Sequence, residues 1–237
     1  MLSTSRQERP YKQNMPPIPL WGDHRSCRIG VLGGSFNPAH KGHFAIAQQA
    51  LIRLRLHQVW FMVSPGNPLK SNPLKSNLLK ADKSDPDHDM APFTQRLCTA
   101  YGLNKGRRLI VTDIEARMGT RYTIDTMQRL KTRFRNAHFV WLMGADSLLT
   151  LPRWKKWQRL VQTVPIAVFS RPDQNHLALR GQAKHVIAPW RHPVHQATGL
   201  VTASSPAWIF FPHLHENISA TAIRRQARFL PLEQCKN

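Results

Sequence analysis

Cysteine is scarce in this chain, with three in 237 residues, at Cys27, Cys98 and Cys235. They are odd in number and far apart, which excludes a disulfide framework and a zinc knuckle and fits a reducing cytoplasm. No apolar run approaches the roughly 18 residues that a membrane-spanning helix needs. Acidic residues are also few: 13 Asp and Glu stand against 34 Lys and Arg, for a formal net charge of +21. There is no Walker-type loop, no nucleophilic triad and no set of zinc ligands. The chain therefore offers no familiar covalent nucleophile and no protein-built metal centre.

What is present is enough for a core, since 41% of the residues are hydrophobic. The length suits one domain, expected over residues 27–237, behind a flexible N-terminal extension over 1–26 that is rich in proline and lacks the apolar core of a secretory signal. The positive charge has three readings: a solvated basic surface, attraction of an anionic substrate such as ATP, or nucleic-acid binding. Basic residues are scattered and no nucleic-acid module is visible, so charge alone supports an anionic partner and no specific nucleic acid.

The most informative stretch is Ile29–His43, IGVLGGSFNPAHKGH. A short apolar run ends at Gly33-Gly34, a turn through Ser35, Phe36 and Pro38 follows, and an amphipathic helix begins near Lys41. Strand, glycine turn and helix start make a phosphate site: glycines let a polyphosphate approach the backbone, and the helix offers unpaired N–H groups. His40 and His43 are three residues apart across that start, so both rings lie on one face and can donate to phosphate oxygens. Alone, such a pair is a helix cap plus a surface histidine, or half of a metal site. The glycines and the strand before it favour phosphate.

Further apolar runs at Val59–Val63, Leu109–Val111, Ala137–Met143, Pro165–Phe169 and Trp208–Phe211 read as buried strands, with helices over Pro92–Tyr101 and Tyr122–Leu130. Lys70, in the loop after the second strand, can reach a phosphate; for Lys75 a mobile basic loop is the simpler reading. Residues 71–91 read as a lid or disordered loop. Asp113 and Glu115 follow a strand and read as solvated acids rather than a catalytic pair. Thr123 opens a helix whose N–H groups can hold a carboxylate, or is an ordinary cap. Gly144 and Asp146 follow a strand end, where an acid often bonds a ribose hydroxyl or caps a helix. Trp154 and Trp157 are three apart; one can stack on a base, and at least one belongs to the core. Arg171, at a strand end, is equally a phosphate ligand or a surface residue. Residues 173–207 read as irregular, with His192 and His195 in surface loop. Near the C-terminus, Ser219 or Thr221 begins a helix carrying Arg224, which is a second polyphosphate cradle or a cap with a solvated arginine.

Several of these segments resemble signatures of one family. GGSFNPAHKGH is similar to the GGxFDPxHxGH element of the nucleotidylyltransferase superfamily, with Asn37 in place of the usual Asp. RYTIDTM resembles the (S/R)YTxxTL element of its nicotinate-mononucleotide branch, GADSLLTLPRWKKW the GADSLLxLPxWxxW element of the same branch, and ISATAIR the superfamily's ISSTxIR element, with Ala220 for a Ser. Together they span about residues 28–228 and resemble the nicotinate-nucleotide adenylyltransferases. The resemblance implies an α/β, Rossmann-like nucleotidylyltransferase fold, a mostly parallel sheet with helices on both faces. It implies joining of nicotinate mononucleotide and ATP to give deamido-NAD and pyrophosphate, by direct attack on the α-phosphate, with Mg²⁺ carried mainly by ATP phosphates. His40, His43 and Arg224 would be catalytic. Gly33, Gly34, Ser35, Phe36, Gly144, Asp146, Ser219 and Thr221 would join them around ATP. Lys70, the backbone at Thr123, Trp154 and Arg171 would hold the mononucleotide. No protein-held metal is expected, and homo-oligomerisation stays open.

Overall fold

The computed structural model describes residues 26–66, 90–103, 106–170 and 175–212. Seven strands form one sheet: β1 (Cys27–Gly34), β2 (Gln58–Val63), β3 (Leu109–Thr112), β4 (Ala137–Gly144), β5 (Ile166–Phe169), β6 (Arg191–His192) and β7 (Trp208–Phe211). Their order is β3-β2-β1-β4-β5-β7-β6, and every pairing among the described residues is parallel. Parallel strands need covering on both faces, which is why β2, β5 and β7 are near-continuous apolar runs rather than alternating ones.

The covering helices are α1 (Lys41–Arg53), α2 (Phe93–Gly102), α3 (Ile114–Met118), α4 (Thr123–Arg133), α5 (Ala145–Thr150), α6 (Trp157–Thr163), α7 (Asn175–Arg180) and α8 (Gln182–Ile187). On one face, Val31, Trp60 and Trp141 of the sheet pack with Ile124 and Met127 of α4 and Leu160 of α6. On the other, Leu32, Leu142 and Phe211 pack with Ile46 and Ala50 of α1 and Leu97 of α2. The expected layered α/β architecture is therefore present. Residues 175–207 correct the reading of 173–207 as irregular: they hold α7, α8, the edge strand β6 and two 3₁₀ segments, Ala188–Trp190 and Val194–Thr202. Helices of six residues are too short to display a period; α7 buries Ala178, and α8 buries Ala183 and Ile187.

β1 lies in the middle of the sheet; β2 and β3 follow to one side of it, then β4 and β5 on the other. Neighbouring connections leave β1 and β4 in opposite directions, which opens a crevice at the carboxyl ends of these two strands. Gly33-Gly34 ends β1 and Gly144 ends β4, so both glycine turns reach that crevice. Space explains Gly33 differently from the sequence reading. A Cβ there would lie 2.2 Å from the six-membered ring of Trp141, whereas at Gly34 the nearest atom, of Phe36, would be at 3.6 Å. Gly33 is required by the neighbouring strand's tryptophan.

Gly33→Ala should destabilise the fold by about 1–3 kcal/mol through overpacking. In a Trp141→Phe background the ring atoms in the way are absent, and the same change should cost much less. Denaturant unfolding of the four proteins measures this; an equal cost in both backgrounds would contradict the packing account.

Candidate active site

The β1–α1 turn is built around two histidines that cap the helix reciprocally. His40 is the N-cap, in extended backbone, and its Nδ1 accepts from the Gly42 N–H at 3.2 Å. His43 Nδ1 accepts from the His40 N–H, also at 3.2 Å. These bonds occupy the Nδ1 lone pairs, so in the neutral imidazoles the proton sits on Nε2 of each ring. The rings lie 3.9 Å apart between centroids, and the ring of His43 packs on Phe36 at 4.8 Å. His43 lines the crevice; His40 is 4% exposed and stands behind it. Phe36 holds φ at 46°, in the left-handed region that non-glycine residues avoid. Asn37 is buried, and its Oδ1 accepts from the Ala91 N–H at 3.0 Å, so the carboxamide ties the turn to the segment entering α2.

The crevice is a cleft of about 560 Å³. It brings together Gly33, Gly34, Ser35, Phe36 and His43 from the first turn, Thr123 from α4, Gly144 and Asp146 from the end of β4, and Trp154. At the start of α4 the N-cap is Tyr122, without a side-chain cap bond, and Thr123 is the first helical residue rather than the cap. The Tyr122 carbonyl takes the N–H groups of Asp125 and Thr126, while those of Thr123 and Ile124 have no partner among the described residues. An 11-residue helix thus presents two donors and its positive end toward the cleft. Tyr122 is flanked by cations: Lys155 Nζ lies 4.0 Å from its ring centroid and the Arg121 guanidinium 6.0 Å.

Trp154 leaves the helical turn Leu151–Arg153 in extended backbone, and its ring stands edge-on to Trp141 at 6.0 Å and 86°. Trp157 opens α6 and is buried in the core, so the two tryptophans divide between cleft and interior. The indole nitrogens of Trp141 and Trp154 are both buried with no acceptor among the described residues.

The cytidylyltransferase-like family model matches residues 31–226. A protein of Gluconacetobacter diazotrophicus, named "Probable nicotinate-nucleotide adenylyltransferase", is 50% identical over 90% of this chain and 92% of its own. The protein of that name from Gluconobacter oxydans is 48% identical over 86% and 97%. The chain belongs to the nicotinate-nucleotide adenylyltransferases of the cytidylyltransferase-like family. The nicotinic acid mononucleotide adenylyltransferase of Plasmodium falciparum, solved in complex with NaAD, shares the fold, with a TM-score of 0.58 at 15% identity over 84% of this chain and 83% of that one.

Five site residues expected of this family member, Lys70, Arg171, Ser219, Thr221 and Arg224, lie outside the described residues, as do residues 1–25 of the 1–26 extension and most of the 71–91 loop. Sequence reasoning missed Trp141, which reads as an ordinary core residue in mid-strand, and it misread Glu115. Asp113 pairs with Arg117 at 2.7 Å, but Glu115 is not solvated: it is 4% exposed and lines the cleft. Its Oε1 accepts from the Thr126 hydroxyl at 3.1 Å, which lies 2.7 Å from that of Thr120. The run of Thr at 112, 120, 123 and 126 around one acid was the available signal. Burial pushes the Glu115 carboxyl up to about 7, against the smaller opposing effect of the Thr126 hydroxyl.

Between pH 4.5 and about 7 the unfolded chain ionises this carboxyl and the folded chain does not, so the folded state binds more protons and stability falls as pH rises. The loss is on the order of 3 kcal/mol and levels off above that window. Glu115→Gln should flatten this slope. Unfolding free energies from pH 4.5 to 8 for both proteins test it, and parallel curves would contradict a neutral buried Glu115.

Proposed function

We propose that this protein transfers the adenylyl group of ATP to nicotinate mononucleotide, giving deamido-NAD and pyrophosphate, as a step of NAD biosynthesis in the cytoplasm. One observation carries the reading. A proton-bearing imidazole, an uncapped helix start and an exposed-edge aromatic ring share one cleft at the switch point of the sheet. A phosphate needs the first, a nicotinate carboxylate the second and a pyridine ring the third.

An oxygen of the mononucleotide phosphate attacks the α-phosphorus of ATP in line. The new P–O bond forms as the bond to the β-phosphate oxygen breaks, and its electron pair leaves with pyrophosphate. No bond to the protein forms. The protein's part is to hold two anions in line and to match the charge that builds in the transition state. His43 donates from Nε2 to those oxygens, and His40, behind it, sets the turn and the paired ring. Gly33, Gly34, Ser35 and Phe36 carry the phosphate turn, and Gly144 and Asp146 hold the adenosine ribose. Thr123 and its backbone grip the nicotinate carboxylate, and Trp154 stacks on the pyridine. Lys70, Arg171, Ser219, Thr221 and Arg224 complete the phosphate and mononucleotide contacts in this reading. In this reading Mg²⁺ is carried mainly by the ATP phosphates and water. It would supply charge neutralisation on the leaving pyrophosphate. Among the described residues no helix is long and apolar enough to cross a membrane.

His43→Ala should lower kcat by about 10²–10³-fold. Because the ring also caps α1, His43→Asn, which keeps an acceptor near the His40 N–H, separates folding from turnover: it should unfold near the parent temperature yet remain as slow as the alanine variant. Near-normal turnover in either would remove the phosphate role.

Trp154→Ala should raise KM for the mononucleotide by about tenfold while KM for ATP moves little. Pyrophosphate release with nicotinate mononucleotide, its amide counterpart and phosphopantetheine as acceptors checks the substrate. Preference for the amide or the thiol compound would reassign the enzyme within its superfamily.

A further inference from the structure

Arg96 of α2 is the most heavily engaged buried cation among the described residues, and no element of the reaction uses it. It is 2% exposed and does not line the cleft. Its guanidinium donates to four backbone carbonyls: Nε to Ala91 at 3.0 Å, Nη1 to Ser35 at 2.6 Å and Ser64 at 2.7 Å, and Nη2 to Pro65 at 3.0 Å. It also lies 5.4 Å from the Phe93 ring centroid. Carbonyls, rather than a carboxylate, take its N–H groups among the described residues.

Three separate segments thus meet on one side chain: the turn after β1, the turn after β2 and the entry to α2. Peptide planarity gives this a consequence on the far side of the turns. In a trans peptide the carbonyl of one residue and the N–H of the next point in opposite directions. Holding the Ser35 carbonyl against Arg96 turns the Phe36 N–H away from it, and holding the Pro65 carbonyl does the same to the Gly66 N–H. Phe36 and Gly66 both line the cleft, and neither N–H has a partner among the described residues. Phe36 is also the residue held at φ 46°. A non-glycine backbone stays there only when its surroundings impose it, and the bond from Arg96 to the preceding carbonyl is one such restraint.

We propose that Arg96 is a positioning residue for anion binding: it pulls the carbonyls of two turns out of the cleft so that the amides of Phe36 and Gly66 face a phosphate group. Without it, the Ser35 and Pro65 carbonyls are free to rotate toward the ligand, and their negative ends repel it. The inference rests on the proposed phosphate-binding role of the cleft, and the experiment separates the two.

Pyrophosphate binding is measured by calorimetry for the parent protein, Arg96→Lys and Leu97→Ala. The lysine variant keeps a positive charge but cannot reach four carbonyls. The leucine variant loosens the same helix from the core without removing a hydrogen bond to the turns. Arg96→Lys should bind pyrophosphate at least tenfold more weakly, and Leu97→Ala should bind within about twofold of the parent even where its melting temperature falls further. Equal binding by the parent and Arg96→Lys, or equal weakening in both variants, overturns the positioning role. No binding by the parent overturns the phosphate cleft itself. Should Arg96→Lys fail to fold, the amide resonances of Phe36 and Gly66 in the parent decide: both should move downfield on adding pyrophosphate, and stationary resonances overturn the proposal.

Discussion

The reciprocal cap at the start of α1 is the interaction on which the rest depends. Two imidazoles accept from two backbone N–H groups, His40 from Gly42 and His43 from His40. A serine or aspartate would cap such a helix as well. Histidine differs because accepting at one ring nitrogen leaves the proton on the other. The same pair of bonds that starts the helix therefore determines which atom of His43 can donate. The position of that donor follows from the sheet. β1 ends beside β4 at the strand-order reversal, and Gly33 lets the Trp141 ring close the floor between them.

Charge in the cleft is arranged for anions. Arg121, Arg153 and Lys155 line it with His43. Of the two acids there, Glu115 is held by burial toward its neutral form. An ionised carboxylate so close to the start of α4 would weaken that helix's attraction for an anion. Burying the acid against Thr126 keeps a polar wall without that opposing charge. Behind the turns, Arg96 adds a cation that no solvent screens. The excess of basic residues over the whole chain is a different matter, acting at long range on encounter rather than on geometry.

Much of the fold was legible because parallel strands buried on both faces make short apolar runs, rich in β-branched and aromatic residues. Val59–Val63 and Trp208–Phe211 are such runs, and both are strands. The β1–α1 turn was legible because Gly, Pro and His each constrain the backbone or a helix start. Residues 173–207 were not, since their helices are shorter than two turns. Glu115 and Arg96 were not legible for a related reason. Local pattern places acids and bases in solvent, and only tertiary packing brings Thr126 to one and four carbonyls to the other. Trp141 failed likewise: its strand position is that of a core residue, and its edge on the cleft comes from the absent side chain at Gly33.

The state of the His43 ring tests the central claim most directly. Nitrogen-15 spectra of histidine-labelled protein distinguish the two neutral tautomers and follow each ring nitrogen on addition of ATP. The account predicts that His43 carries its proton on Nε2 in the free protein and that this nitrogen, not Nδ1, responds to ATP. A proton on Nδ1, or a ring that ATP leaves unchanged, would contradict it.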